Sequence, residues 1–329
     1  MKTKIGIIIS ILVFVCCTAF ASQVFFSPTK LYTKNLYQNI DSNFENIHST
    51  YPDFTEIKSI GTSVKGKYIK ALKIGKGEKS ILINGAHHGR EMMTAVLCAE
   101  QAKYLAQRYS EDKTVRKKLD TVAVWFVPLV NPDGVQKALT TSPGWKANGR
   151  GVDLNRNYPT QGEKPRVFKP SPEGYHGTVP FSEPETIAMR DFCYEQNFET
   201  SISYHSAGEV IYWWFYQQGE CLEKSLTIVK SISNVTKYKL MPIQESKSGY
   251  GFTDWFIKEF NRPAFTLEIG KICNRLPLKL WEYNNIWNQN KNIPILLIEQ
   301  IIKVNGIPLI DDEKPPIEET TPSIIQIRE

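Results

Sequence analysis

Residues 121–130 read TVAVWFVPLV, a run without one charged side chain. A strand with one face in water alternates apolar and polar residues. This run does not alternate, so both of its faces must be covered by other parts of the chain, as for an interior strand of an α/β sheet. The neighbouring segments agree. Residues 80–84 (SILIN) form a second buried strand leading into Gly85-Ala86-His87-His88-Gly89-Arg90-Glu91, and residues 91–109 then take up helical spacing. Strand, tight loop and helix in that order are the parts from which helix-covered sheets are built.

Further out, apolar residues at Leu36, Ile40, Phe44 and Ile47 predict a helix over 31–48, stopped by Tyr51-Pro52. β-rich runs at 55–60 and 68–74 precede the central pair, and others at 200–204, 209–215, 238–241 and 264–267 follow it, with helices near 222–235 and over 280–304. Ser182-Glu183-Pro184-Glu185 predicts a helix start, with a serine cap, a proline in the first turn and a glutamate closing an S-x-x-E capping box. The alternation predicts an α/β fold: a single domain whose mixed parallel/antiparallel twisted sheet is covered by helices on both faces. Residues 22–304 contain no internal repeat or linker and are expected to form that one domain; the acidic, proline-containing residues 305–329 are expected to be a loosely held tail.

With 41% hydrophobic and 22% charged residues, the 329-residue chain can bury a core, which excludes a mostly disordered or collagen-like protein. Residues 1–21 read differently. Lys2 and Lys4 precede an apolar run over 5–15 and then Ala19-Phe20-Ala21, the pattern of a secretory signal peptide. The competing reading is an uncleaved anchor, but the run is shorter than the ~20 residues a spanning helix needs. The expectation is therefore a secreted protein, extracellular or associated with the cell wall, with no membrane span after cleavage. Loss of the two lysines takes the formal charge from +6 to 6 − 2 = +4. No Lys/Arg block with interleaved aromatics is present, so nucleic acid is not an expected partner. Of six cysteines two leave with the signal; Cys98, Cys193, Cys221 and Cys273 remain, at spacings that choose no pairing, and are expected as buried thiols or at most one bridge.

His88 and Glu91 form an H-x-x-E pair at the point where a strand ends and a helix begins, an offset that brings an imidazole and a carboxylate onto one metal ion. Alone the pair is weak evidence. In chain order it is followed by Asn131-Pro132-Asp133-Gly134, by Gly151-Val152-Asp153-Leu154-Asn155-Arg156-Asn157, by His205-Ser206 and by Thr266-Leu267-Glu268, all at predicted strand ends or loops, which is where open α/β sheets place ligands.

Together these motifs resemble the zinc carboxypeptidase family over about residues 31–303. The resemblance implies a single Zn²⁺ held by His88, Glu91 and His205 with a fourth position for water. It implies Glu268 as general base, accompanied by the matching Asp254-Trp255. Asn155 and Arg156 are implied as the pair that holds a substrate's terminal carboxylate, Arg90 as a substrate-contacting arginine and Asp153 as the carboxylate that orients a zinc-ligating histidine. His87, beside a ligand, is expected in the loop or behind the site. The arginine that would face the developing oxyanion falls in Trp145-Lys146-Ala147-Asn148-Gly149-Arg150 and is assigned to Arg150, with Lys146 as the alternative.

Two places depart from the digestive members. Counting back from Asp254 puts Ser246 where those enzymes carry a mobile tyrosine; Tyr250, flanked by glycines, is the candidate for that role, with a packing residue as the alternative. Thr253 stands at the specificity position, with neither a carboxylate for a basic side chain nor an arginine for an acidic one. With the WKAN run and the segment 251–256, this is closer to the bacterial branch that cuts γ-D-glutamyl–diamino acid bonds in wall peptides. The expected protein is a monomeric, secreted zinc metallocarboxypeptidase whose partner is a peptide, preferably a peptidoglycan stem peptide. The alternatives are a general carboxypeptidase on L-peptides and an inactive wall-binding protein.

Overall fold

The computed structural model describes residues 32–160, 165–243, 250–271 and 276–310. The signal segment, Cys273, Ser246 and the tail from 311 lie outside them.

Among the described residues eight strands form one mixed sheet: β1 (Thr55–Thr62), β2 (Tyr68–Ile74), β3 (Lys79–Gly85), β4 (Val122–Val127), β5 (Ser201–His205), β6 (Val210–Tyr212), β7 (Lys239–Leu240) and β8 (Ala264–Glu268), in the order β1-β2-β4-β3-β5-β8-β6-β7. The four inner strands β4, β3, β5 and β8 are mutually parallel, while β2 against β4 and β6 against β8 are antiparallel. The charge-free run becomes β4, every residue of which is buried, and ends before Pro128, which has no N–H for the ladder.

Side chains of the inner strands alternate between two cores. Ile81, Ile83, Val124, Phe126, Ile202 and Tyr204 face one, and Leu82, Trp125 and Val127 face the other. The first core is closed by α1 (Leu36–Thr50), α2 (Met92–Glu111), α3 (Lys113–Thr121), α6 (Gly219–Thr236), α8 (Tyr283–Asn290) and α9 (Ile293–Val304), with α4 (Pro132–Thr140) packing at its edge. The second is closed by α5 (Pro184–Gln196) and α7 (Phe252–Phe260), with Tyr158 at its centre. The single helix-covered α/β domain is as the hydrophobic pattern predicts.

Two local expectations are corrected, and two helices that the sequence reading did not place are added. The S-x-x-E capping box does not form: Glu183 is the helix cap position, and the Glu185 carboxylate instead accepts from the Val64 N–H at 3.0 Å and from Asn148 Nδ2 at 3.2 Å. The Val64 N–H finds its acceptor in Glu185, and the buried Asn148 amide is shared between Glu185 and Glu183, whose Oε2 lies 2.8 Å from Nδ2. The expected helix over 280–304 divides into a short 3₁₀ turn, α8 and α9. Pro294 lacks an N–H, and its ring would strike the carbonyl four residues back, so α8 ends at Asn290 and Pro294 falls in the first turn of α9. The added helices are α3, directly after α2, and α4, after β4. Asp112 caps α3 through the N–H groups of Thr114 and Val115, and Asn131 caps α4 by accepting from the Gly134 N–H at 2.8 Å.

Cys98, Cys193 and Cys221 are buried thiols. Among the described residues no helix is long and apolar enough to cross a membrane.

Candidate metal centre and active site

The site lies at the carboxyl ends of the parallel strands, around the β3/β5 pair, where the order of connections reverses. The chain leaves β3 through Ala86, which takes a left-handed conformation (φ 51°) and turns His87 and His88 back over the sheet. Gly89 follows because nothing larger fits: a Cβ there would lie 2.4 Å from the Gly134 carbonyl oxygen and 2.8 Å from that of Trp145. Asn131 ties the same loop down, its amide donating to the carbonyls of His87 and Ala147. His205 ends β5 and Glu268 ends β8, paired in register across the two strands.

His88, Glu91 and His205 converge and are buried. His88 Nδ1 lies 2.8 Å from Glu91 Oε1, His205 Nδ1 lies 3.0 Å from Glu91 Oε2, and the two Nδ1 atoms are 3.1 Å apart. Donor atoms bound at about 2.1 Å to one tetrahedral ion sit roughly 3.4 Å from each other, so a zinc ion requires only a few tenths of an ångström of opening. The donor set fits in a second way. His88 has a carboxylate against each ring nitrogen, Glu91 on Nδ1 and Asp153 Oδ1 at 3.2 Å from Nε2. With the Nε2 proton committed to Asp153, a neutral ring turns the Nδ1 lone pair toward the cluster, as a ligand must.

The electrostatics are consistent with this arrangement. Burial raises the Glu91 carboxyl, but His88 and His205 outweigh it and hold the group well below the usual carboxylate range. Burial lowers His205 despite the opposing Glu91 charge, and lowers His87 further, with His205 and His88 acting in the same direction. Asp153 is held far down against its burial by Lys146, His88 and Arg156. Glu268 moves the other way, pushed up to about 8 by burial and by Glu91, with Lys146 and Arg156 opposing. One carboxylate is thus kept ionised as a ligand and another kept close to neutrality, the separation that proton-transfer chemistry uses.

Of the remaining expected residues, Asn155 and Arg156 lie in the 3₁₀ turn Leu154–Arg156 beside the start of α7. Asn155 Oδ1 accepts from the Phe252 N–H at 2.9 Å, and Arg156 Nη1 donates to the Asn155 carbonyl at 2.8 Å. Thr253 meets Thr266, their hydroxyls 2.7 Å apart, so the pocket residue is tied to β8 two residues before Glu268. Tyr250 takes φ 69°, its N–H donates to the Thr160 hydroxyl and its ring packs 4.9 Å from that of His176. Arg90 lies beside Glu173 and Gly144. His87 sits behind the ligands, Nε2 3.0 Å from the Tyr158 hydroxyl.

Arg150 is not brought to the cluster. Its side chain is 55% exposed and faces the buried Glu183 at 3.5 Å, away from the metal residues. Lys146 takes the inner place, 15% exposed with Nζ 3.0 Å from Asp153 Oδ2, and it is the lysine charge that acts on His205 and Glu268. The loop turns after Ala147, because Asn148 folds it by accepting from the N–H groups of Arg150 and Val152, so positions 146 and 150 point to different surroundings. Sequence reading also missed the Ser206 N–H, 3.2 Å from Glu91 Oε2, and the Tyr158 hydroxyl. A backbone donor leaves no mark in a sequence, and Tyr158 is one aromatic residue among many.

Comparison with known proteins agrees with this geometry. The profile of the zinc carboxypeptidase family matches residues 40–277. The chain is 31% identical over 283 residues to Gamma-D-glutamyl-L-diamino acid endopeptidase 1 of Lysinibacillus sphaericus, covering 77% of this chain and 69% of that protein. It is 27% identical over 265 residues to carboxypeptidase B of Rattus norvegicus, covering 72% and 64% respectively. Among solved structures, bovine thrombin-activatable fibrinolysis inhibitor superposes with a TM-score of 0.69 at 22% identity, over 83% of this chain and 97% of that one. At that identity the likeness is one of fold.

Proposed function

The chain belongs to the zinc carboxypeptidase family and is a zinc metallopeptidase; on that premise we propose that it removes a C-terminal diamino acid from peptidoglycan stem peptides by cutting the γ-D-glutamyl bond, outside the cytoplasm. The observation that carries this reading is the likeness to the Lysinibacillus sphaericus enzyme over most of both chains, joined to a pocket whose residue 253 is threonine. A diamino acid carries an amino and a carboxyl group together, and an uncharged hydroxyl pair such as Thr253 and Thr266 suits it better than a fixed charge of either sign. The secretion pattern of residues 1–21 supports an extracellular site of action.

In the proposed mechanism His88, Glu91 and His205 hold one zinc ion. When bound, the ion polarises the scissile carbonyl and brings the pKa of its water to about 7. Glu268 receives the proton from the attacking water and delivers it to the leaving amine, a task suited to a carboxyl poised near neutrality. Lys146, the alternative to Arg150 in the sequence reading, supplies the positive charge beside the carbonyl oxygen. Arg156, with the side-chain amide of Asn155, holds the terminal carboxylate, and Tyr250 closes over the bound residue. Asp153 fixes the tautomer of His88.

The test offers the purified zinc-loaded protein a γ-D-Glu-diaminopimelate tripeptide and a ladder of ordinary L-peptides, with and without chelator. Chelator-sensitive release of diaminopimelate is expected. Cleavage confined to the L-peptides would replace this reading with that of a general carboxypeptidase, and turnover of neither would make it a binding protein.

A further inference from the structure

Resting on the exopeptidase reading above, in which Arg156 holds the terminal carboxylate, we infer that His176 is a proton-dependent partner of that arginine. Its imidazole takes up a proton as the carboxylate settles on Arg156 and then stands beside it as a second cation. Recognition of a free C-terminus is thereby tied to pH through a side chain outside the metal cluster.

The fold holds His176 against the turn that carries Arg156. The Asp153 N–H donates to the Tyr175 carbonyl at 2.8 Å and Asn157 Nδ2 to the His176 carbonyl at 2.7 Å, so residues 175 and 176 are bonded to positions on either side of Arg156. Asn157 is itself buried and fixed, its Oδ1 accepting from the Thr186 hydroxyl at 2.8 Å. The chain then turns away at Gly177 (φ 85°), where a Cβ would lie 2.6 Å from Asn157 Nδ2. From this anchored backbone the imidazole packs on the Tyr250 ring, centroids 4.9 Å apart, and remains partly exposed. Neither of its nitrogens has a hydrogen-bond partner among the described residues, so both are open to a proton and to a bound group.

The charged and titratable groups that face His176 are Arg156 and Asp153 from the turn, Lys146 from the loop before it and Tyr250 from the segment before α7. In the free protein burial and then Arg156 hold the imidazole below its ordinary value, with Lys146 acting in the same direction and Asp153 opposing. A carboxylate bound to Arg156 offsets that cation and adds a negative charge beside the ring, which raises the pKa in the complex. Between the free and bound values, binding takes up a proton. Affinity for a free carboxylate is therefore greatest at low pH and is lost as pH rises through the bound value. Each unit by which binding raises the pKa corresponds to about a tenfold change.

The experiment uses the zinc-loaded full chain and two L-Ala-γ-D-Glu-diaminopimelate tripeptides that differ only in the terminal α-group, free acid in one and carboxamide in the other. The acid-to-amide ratio of kcat/KM removes the titration of Glu268 and of the metal centre, which act on both peptides. In the wild type that ratio is expected to fall about three- to tenfold between pH 5.5 and 8. His176→Gln should give a flat ratio at the wild type's high-pH level, and His176→Arg a flat ratio at its low-pH level, a pair of outcomes that a packing role does not produce. A wild-type ratio that favours the acid equally at all pH values, or a slope that survives in His176→Gln, overturns the inference and leaves the Arg156 assignment standing. No preference for the acid at any pH overturns the exopeptidase reading and this inference with it. If the protein cuts only ordinary L-peptides, the acid and amide of such a peptide give the same test, since only a free C-terminus is required. Should His176→Gln not fold, the wild-type profile and His176→Arg decide.

Discussion

Glu268 and Lys146 act on each other across the mouth of the metal cluster, and their roles separate cleanly by substitution. Glu268→Gln keeps the shape and removes the proton acceptor. Metal content measured by atomic absorption should remain at one zinc per chain, while turnover falls by roughly 10²–10⁴. Lys146→Met removes the inner charge and should reduce kcat by about 10²–10³, the scale seen when an oxyanion partner is lost. Arg150→Met, by contrast, breaks only a contact between an exposed guanidinium and Glu183, and kcat should stay within about threefold of wild type. A larger loss in Arg150→Met than in Lys146→Met, measured on the same peptide, would return the oxyanion role to Arg150. Lys146 also holds Asp153, so part of its effect passes through the orientation of His88, and Lys146→Arg should recover much of the activity.

At the scale of elements, α2 carries an anomaly away from the site. Glu100 is buried in it, its Oε1 has no hydrogen-bond partner among the described residues, and burial raises its carboxyl to about 7 against the partial opposition of Lys103. The unfolded carboxyl titrates near its ordinary value of about 4.3. Between these values the folded chain holds a proton that the unfolded chain has lost, so stability falls as pH rises, by at most about 1.4 kcal/mol per pH unit, and the fall ends above the folded value. Glu100→Gln resembles the protonated form and removes that dependence. Urea unfolding of the two proteins should coincide below pH 4.5 and diverge by pH 8 in favour of the variant; curves that coincide at both pH values would show that Glu100 is not desolvated in solution. Other elements were legible to different degrees. Helix α1 and strands β2 and β3 follow from apolar spacing, whereas α3 and α4 are short and polar and depend on the single caps Asp112 and Asn131. The S-x-x-E motif at α5 shows the limit of local reading: Glu185 accepts from the N–H of Val64, far away in sequence, and from the buried Asn148 amide, instead of turning back to its own helix start.

For the molecule as a whole, the metal residues join elements that are otherwise separate in sequence: the turn after β3, the start of α2 and the end of β5. An ion bound by all three favours the folded chain alone and should stabilise it by RT ln(1 + [Zn]/Kd), about 2.7 kcal/mol at a hundredfold excess over Kd. Chelation should lower the unfolding midpoint in calorimetry and abolish hydrolysis together, and zinc should restore both. In His205→Ala the midpoint should respond far less to zinc. A wild-type midpoint indifferent to zinc would argue against a preformed centre.

The sequence alone determined the class of fold, because apolar spacing records which faces must leave water, and through its motifs at strand ends and their resemblance to a family it pointed to His88, Glu91 and His205, which the fold brings within reach of one ion. Only the tertiary structure decided which of two cations in one six-residue loop faces the cluster. Lys146 and Arg150 have equal charge and lie four positions apart; Asn148 folds the backbone between them, so that Lys146 meets the buried Asp153 of the same loop and Arg150 meets Glu183 at the start of α5. Which cation takes which carboxylate depends on how the loop turns and where α5 comes to rest after folding, and residue order alone carries no record of that.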